Sequence, residues 1–416
     1  MEVTIERILP GGFGLAHAEG RTIMVALAAP GDHLRVRIDR VKGNVSFASI
    51  EEIITAGPDR VEPPCPYFGL CGGCDFQQMN YDAQLNTKAE IIKDCLRRLA
   101  RIEDIPDFQI TPAPEPWHYR SRAQWQYDAV RQHLGYFEGG SRNVCDVVDC
   151  AVLVPQLQQT LTSLRDLMKS GSLPDTRDFR AVAGDAETIS MSPPVQGLSP
   201  TVREGSPALD ESPGVSDINR SIHGETFRLN ADSFFQANDA LLPQLIDAAV
   251  GEAKGTTAIE FYSGVGLFTL PLARRFAHVI GVESDAAATK FARESLSAAG
   301  LTNAEISTRD VGVWLDDVRR HDLSRLSENS AKALQGQIDF VLLDPPRVGA
   351  ESRVIAGTLG LRPQRIAYVS CDPATLARDL KKLIAGGYRL QSLAGFDMFP
   401  QTHHVETVAQ LQFDQG

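Results

Sequence analysis

No apolar run in the 416 residues approaches the roughly 20 needed to span a bilayer. The opening stretch, Met1-Glu2-Val3-Thr4-Ile5-Glu6, lacks the basic segment and apolar core of a secretory signal. A cytoplasmic chain with no membrane partner is therefore expected. An excess of positive charge is also missing: the formal net charge is −12. That excludes indiscriminate polyanion binding but leaves room for a local basic face. Cysteines are few, seven in all, and their odd number and crowding do not fit a disulfide framework. In a cytoplasmic chain such spacing points to metal or cluster ligation.

Three of the seven lie in Cys65-Pro-Tyr-Phe-Gly-Leu-Cys71-Gly-Gly-Cys74, with prolines and glycines that let the backbone wrap a compact object. Thiolates favour a soft cation or an iron–sulfur cluster, and four ligands are normally required. The fourth must come from elsewhere. Cys95 falls in the apolar stripe of a helix and reads as core, so Cys150 is preferred to it and to Cys145. The spacing leaves zinc and a cluster both open. The radical-type Cys-x3-Cys-x2-Cys pattern is absent.

The length leaves room for two or three domains. Residues 1–58 alternate in strand fashion between glycine-rich turns, which predicts a small barrel. Arg35 and Arg37 share one face of a strand, read either as an RNA-backbone contact or as a solvated charged face. Tyr81 to about Ile102 predicts a helix with an apolar stripe at Ile91, Ile92, Cys95, Leu96 and Leu99. Lys93, Arg97 and Arg101 form a basic stripe beside it, and the helix is expected to pack on the C-terminal domain. Residues 107–150 read as strands, with Arg131, His133, Tyr136 and Phe137 offering material for a nucleic-acid surface. Residues 188–220, rich in Ser, Pro, Gly and Asp, read as a linker. The domain division expected is 1–58, 59–230 and 231–416.

From Phe227 onward strands alternate with helices, which predicts an α/β fold with a doubly wound parallel sheet. A strand ending at Tyr262 runs into Ser263-Gly264-Val265-Gly266, whose glycines let backbone approach a nucleoside cofactor. Glu283 ends the next strand, where a carboxylate can accept from both ribose hydroxyls. A dinucleotide is the rival ligand, but its third glycine is missing. The strand Ile366–Val369 stops at Ser370-Cys371-Asp372-Pro373, and a helix is predicted over Thr375–Ala385. A cysteine at a strand's carboxyl end sits where open α/β sheets bind their ligands.

The chain resembles the RNA 5-methyluridine methyltransferases, in the iron–sulfur, TRAM-domain branch that acts on 23S ribosomal RNA. The resemblance spans the N-terminal barrel, the Cys65–Cys74 motif, Phe234-Phe235-Gln236-x-Asn238, the glycine turn, Asp344-Pro-Pro-Arg347, Ser370-Cys371-Asp372-Pro373 and Asp397-Met-Phe-Pro-x-Thr402-His403-His404-Val405-Glu406. It implies a Rossmann-like S-adenosylmethionine domain, a TRAM barrel and a central iron–sulfur domain. It further implies cofactor contacts at Gln236, Tyr262, Glu283 and Asp344, with Asp310 near the adenine. A [4Fe–4S] cluster on Cys65, Cys71, Cys74 and Cys150, an RNA partner (ribosomal, with transfer RNA as the alternative) and a monomeric state complete the expectation. Three positions depart from the family: Ser263 stands where cysteine is frequent, Leu267 where asparagine is common, and Asp372 where asparagine is usual.

The expected chemistry accounts for the residue types. Uracil C5 is a poor nucleophile. A thiolate added to C6 gives an enolate whose C5 can take a methyl group, after which a base removes the C5 proton and the thiolate is eliminated. Cys371 suits the first role and Glu406 the second. The target base must leave its stack to reach Cys371. Two other readings stay open: methylation of a different acceptor, which has no use for Cys371, and a non-catalytic iron–sulfur RNA-binding protein, which leaves Glu406 unexplained.

Overall fold

The computed structural model describes residues 1–195, 198, 215–324 and 326–414. Its largest sheet begins with the strand Gly255–Phe261, which lies inside the sheet rather than at an edge. Parallel neighbours follow on either side, in the order Ala304–Thr308, Phe276–Glu283, Gly255–Phe261, Phe340–Leu343 and Arg365–Ser370. Crossovers therefore run in both directions from the first strand, as in a doubly wound sheet. Alternate residues of each strand feed two different cores. Val341 and Leu343 face one, Phe340 and Leu342 the other, so the inner strand Phe340–Leu343 is apolar throughout. Beyond Arg365–Ser370 the sheet reverses: Glu406–Phe413 and Tyr388–Phe396 are antiparallel additions, and Ile110–Thr111 completes that edge.

The last of these strands comes from the middle of the chain, and so does a helix that packs on the same sheet. Tyr81–Cys95 is capped by Asn80, whose side chain accepts from the Ala83 N–H. Ile91, Ile92 and Cys95 are buried in the sheet's core, so Cys95 is core, as expected. The helix predicted over 81–102 is not continuous. It widens into a π-turn at Leu96–Ala100 and stops at Arg101, whose φ is +63°. It packs against the helix Pro373–Ala385, in keeping with the expected contact with the C-terminal domain.

That contact holds a fully buried ion pair. Lys88 and Asp397 are both 0% exposed and directly bonded, and Lys88 also donates to the Phe399 carbonyl at 3.1 Å. Burial lowers the Lys88 pKa, and the Asp397 carboxylate opposes that shift. Removing one partner strands the other in a medium that cannot solvate it. Lys88→Met should therefore cost about 3–5 kcal/mol, whereas replacing both partners together should be much less costly. Thermal unfolding of Lys88→Met and of Lys88→Met/Asp397→Leu checks this: the double variant should recover most of the lost stability.

Residues 2–55 form a six-stranded sheet whose first strand, Glu2–Thr4, lies close to Gly14–Ala18 near the opposite edge. The sheet thus curls around a core of Val3, Ile5, Ile23, Val25, Leu34 and Val36. Arg35 pairs with Glu2 and Glu52, and Arg37 with Asp39; this face is charged and solvated, with its arginines already partnered.

A separate five-stranded sheet carries Arg122–Asp128, His133–Phe137, Val144–Asp146, Asp178–Ala183 and Ile189–Ser192. It packs with the helix Pro155–Lys169 around Trp125, Leu161 and Phe179. The reading of 188–220 as a linker is corrected at both flanks. Ile189–Ser192 is an edge strand of this sheet, and Ile218–Ile222 forms a hairpin with Glu225–Leu229. Both are short strands whose apolar side chains are too few to show a period. Residues 196–197 and 199–214 lie outside the described residues.

Candidate active site at the sheet edge

Strand register alone brings the predicted residues together. Ser370 is paired with Thr407 in the antiparallel ladder, so the next residues outward, Cys371 and Glu406, stand opposite one another. Leu343 is paired with Tyr368, Phe261 with both Leu343 and Val282, and Glu283 with Thr308. Asp344, Tyr262 and Glu283 therefore emerge at the same edge, and Asp310 follows two residues beyond Thr308. This is the carboxyl edge of the parallel strands, where such sheets bind ligands.

The glycine turn is held open by its backbone. Tyr262 has φ +66°, Gly264 +54° and Gly266 +96°. The left-handed Tyr262 costs about 1–3 kcal/mol and persists only because its surroundings fix it; its N–H donates to the Val282 carbonyl at 2.8 Å. Glu283 is fixed in turn, accepting from the Gly264 N–H at 3.1 Å and the Asp285 N–H at 2.8 Å. Asp310 caps the helix Val311–Arg319 through the Val313 N–H and accepts from Arg353 on the same oxygen, both near 3 Å. Gln236 is buried in the segment Ser233–Asn238, which is tied down where the Ser121 N–H and hydroxyl both donate to the Ala237 carbonyl. Leu267 is buried in the core, which explains why an apolar residue is accepted there.

Burial and crowding set the charges at the edge. Asp344 is partly exposed as a residue, yet desolvation of its carboxyl pushes the pKa up to about 7. Glu406, only 2% exposed, is raised by burial and by Asp344, with Arg347 opposing. The half-buried Cys371 thiol is raised to about 12 by burial and then by Glu406, again opposed by Arg347. Arg347, quoted in the motif without a role, is thus the cation that opposes both shifts. Asp372 caps the helix Pro373–Ala385 by accepting from the Thr375 N–H at 2.7 Å. Aspartate and asparagine cap equally well, so the departure at 372 is explained locally. His404 is kept neutral, its pKa lowered to about 3 by burial and by His403.

The four predicted cysteine ligands line one cavity, with Tyr67, Arg120 and Tyr136 among its walls. All are free thiols. Burial pushes Cys71 up to about 11 and Cys74 to about 12. Cys145 is buried in the core of the five-stranded sheet. Two buried donors face this site: Arg120 Nε meets no acceptor, and the Tyr136 hydroxyl lies against the Cys150 thiol. Tyr136 was read as part of an RNA surface; it instead turns inward, a choice that strand alternation alone does not fix. Among the described residues no group of three or more His, Cys, Asp or Glu side chains converges as a single-ion site. Nor is any described helix long and apolar enough to cross a membrane.

Comparison with known proteins places the chain among RNA methyltransferases. The family described as tRNA (Uracil-5-)-methyltransferase matches residues 216–413, and the TRAM domain matches residues 1–50. A 23S rRNA (uracil(1939)-C(5))-methyltransferase of Pectobacterium atrosepticum is 32% identical over 100% of this chain and 94% of its own. The chain belongs to the RNA uracil-C5 methyltransferase family. Members of this family transfer a methyl group from S-adenosylmethionine to uracil C5. A relative in Methylococcus capsulatus, with the same description, is 33% identical over 97% of this chain and 95% of its own. In fold, the chain is similar to the tRNA (uracil-54, C5)-methyltransferase of Pyrococcus abyssi, solved with S-adenosyl-L-homocysteine. The TM-score is 0.73 at 24% identity, covering 99% of this chain and 100% of that one.

Proposed function

We propose that this methyltransferase modifies C5 of one uridine in 23S ribosomal RNA, with Cys371 as nucleophile and Glu406 as base. The observation that carries the roles is the register that sets Cys371 opposite Glu406. The choice of ribosomal RNA rests on full-length relatives of that description; transfer RNA is the second reading, favoured by the description of the matching family and by the fold neighbour. Mass mapping of 5-methyluridine in RNA from cells with and without the gene tests it. Loss of a ribosomal site is expected, and loss of a transfer-RNA site would replace the assignment.

Cys371 adds through sulfur to uracil C6, its proton passing to a neighbouring carboxylate, and the pyrimidine becomes an enolate. S-adenosylmethionine supplies the methyl group, and the residues at the glycine turn, Gly264, Gly266, Glu283, Asp310 and Tyr262, together with Gln236 and Asp344, are proposed to hold it. Glu406 then takes the C5 proton, the C6–sulfur bond breaks and the thiolate leaves. Arg347 tempers the carboxylates around that thiolate. Phe234 and Val348 are 67% and 73% exposed and offer apolar surface to a base drawn from its stack.

Cys65, Cys71, Cys74 and Cys150 are proposed to hold a [4Fe–4S] cluster. Four thiols lining one cavity are the donor set that a cluster needs, one thiolate to each iron. The buried Arg120 Nε donor and the Tyr136 hydroxyl beside Cys150 suit the negative charge of a thiolate-ligated cluster. Such a group would tie the segment around residue 70 to the strand sheet that precedes Cys150, in the domain proposed to bind RNA. Protein purified without oxygen should be brown, with about four irons and four sulfides per chain as the cluster formula requires. Stoichiometric zinc in a colourless, active preparation would overturn this.

A further inference from the structure

We propose that Asp75, the residue after the last cysteine of the triplet, is a positioning residue for Glu406. This rests on the reading of Glu406 as the base. The loop 397–405 connects the two antiparallel strands and delivers Glu406 to the sheet edge. It contains no regular structure, and its Gln401 is held at φ +68°, a conformation that a non-glycine residue keeps only under external constraint.

Those constraints come from the middle of the chain. The Asp75 carboxylate accepts from the His403 N–H at 2.8 Å and bonds the His403 ring at Nδ1. The Asp75 and Phe76 N–H groups both donate to the Gln401 carbonyl, at 3.1 and 3.0 Å. Gln84 accepts from the Gln401 N–H and donates to its side chain, both at 3.0 Å. The Tyr119 hydroxyl donates to the Pro400 carbonyl at 3.0 Å. Asp75 directly follows Cys74, and Tyr119 directly precedes Arg120, so the walls of the cysteine cavity and the supports of the loop are the same two segments. Only Val405 separates His403-His404 from Glu406. Of these supports, Asp75 alone grips the loop by both backbone and ring at its Glu406 end. Freed from the Asp75 carboxylate, the loop can relax at His403 and carry the base away from Cys371, while the glycine turn and Cys371, which Asp75 does not touch, stay in place.

The test compares Asp75→Ala, Asp75→Asn and Glu406→Gln in the full-length protein, with iron and sulfide measured in each. Asp75→Ala should keep its iron and its affinity for S-adenosylmethionine, lose roughly 10- to 100-fold in kcat, a share of what general-base catalysis supplies, and accumulate a covalent protein–RNA adduct. Asp75→Asn keeps an acceptor for the His403 N–H and should recover part of the rate. Hydrogen exchange of amides 398–406 should quicken at least tenfold in Asp75→Ala, with 366–371 unchanged. If Glu406→Gln traps an adduct and Asp75→Ala does not, the positioning role is wrong while the base stands. If neither traps one, the base reading falls and takes the inference with it. Should Asp75→Ala fail to fold, Tyr119→Phe removes a single loop bond and should raise exchange and adduct in the same direction. Unchanged exchange over 398–406 in either variant overturns the proposal.

Discussion

Cys371→Ala is expected to lose all measurable methylation while still binding S-adenosylmethionine. Without a thiol there is no addition at C6, and uracil C5 stays too electron-poor to take a methyl group. The loss should be roughly 10⁶-fold, the scale seen when the attacking group of a covalent mechanism is removed. Cofactor affinity should survive because the glycine turn and Glu283 lie on other strands and make no bond to Cys371. The site tolerates the change structurally: Cys371 is half-buried, and the Ser370 and Asp372 bonds that shape the turn do not use its sulfur. Single-turnover methyl transfer and equilibrium binding of the cofactor check both halves. Full turnover by the alanine variant on unmodified RNA would remove Cys371 from the mechanism.

The same residue shows how far the sequence could be read. The strand before Cys371 and the helix after it were legible because proline and an Asp cap mark the junction, and four buried apolar residues mark the strand. The glycine turn and Glu283 were legible for the same reason, since short-range signals fix them. The partnership of Cys371 with Glu406 was different. Motif resemblance paired the two roles, but proximity depends on an antiparallel return by Glu406–Phe413, and alternation within a strand says nothing about which neighbour it will take. Longer-range features were less visible still. Ile110–Thr111 is too short to announce itself, yet it completes the sheet across nearly three hundred residues of chain. Lys88 carries no sequence signal that sets it apart, and only its complete burial against Asp397 reveals its part. Tyr136 reads as a nucleic-acid contact because basic and aromatic residues cluster there, and Arg120 carries no signal of its own. Their heads point instead at the cysteines, and no periodicity encodes that.

Glu406→Gln should stop the reaction one step later than Cys371→Ala. Glutamine keeps the size and an acceptor oxygen but cannot take the C5 proton, so sulfur addition and methyl transfer proceed and elimination stalls. Turnover should fall by about 10²–10⁴-fold, the usual contribution of a positioned base. The protein should accumulate as a slow-migrating adduct with methylated RNA, absent from the Cys371→Ala/Glu406→Gln double variant. The wild-type rate carries a matching signature. Burial and Asp344 raise the Glu406 pKa, and Asp344 itself stands at about 7, so the two titrate as a pair. A base acts only when deprotonated, so wild-type kcat should fall as pH drops through the pair's raised pKa, well above the ordinary carboxylate range. Stability should move the opposite way. Because the folded pKa lies above the unfolded one, the folded state binds the extra proton; the pair's contribution is full below the unfolded carboxylate pKa and is lost as pH rises through the folded value. Glu406→Gln removes one buried charge from that balance and should unfold at a higher temperature than wild type above neutral pH. A purely structural carboxylate predicts the reverse, a less stable protein and no adduct. A folded Glu406→Gln protein that releases methylated RNA at the wild-type rate would exclude the base.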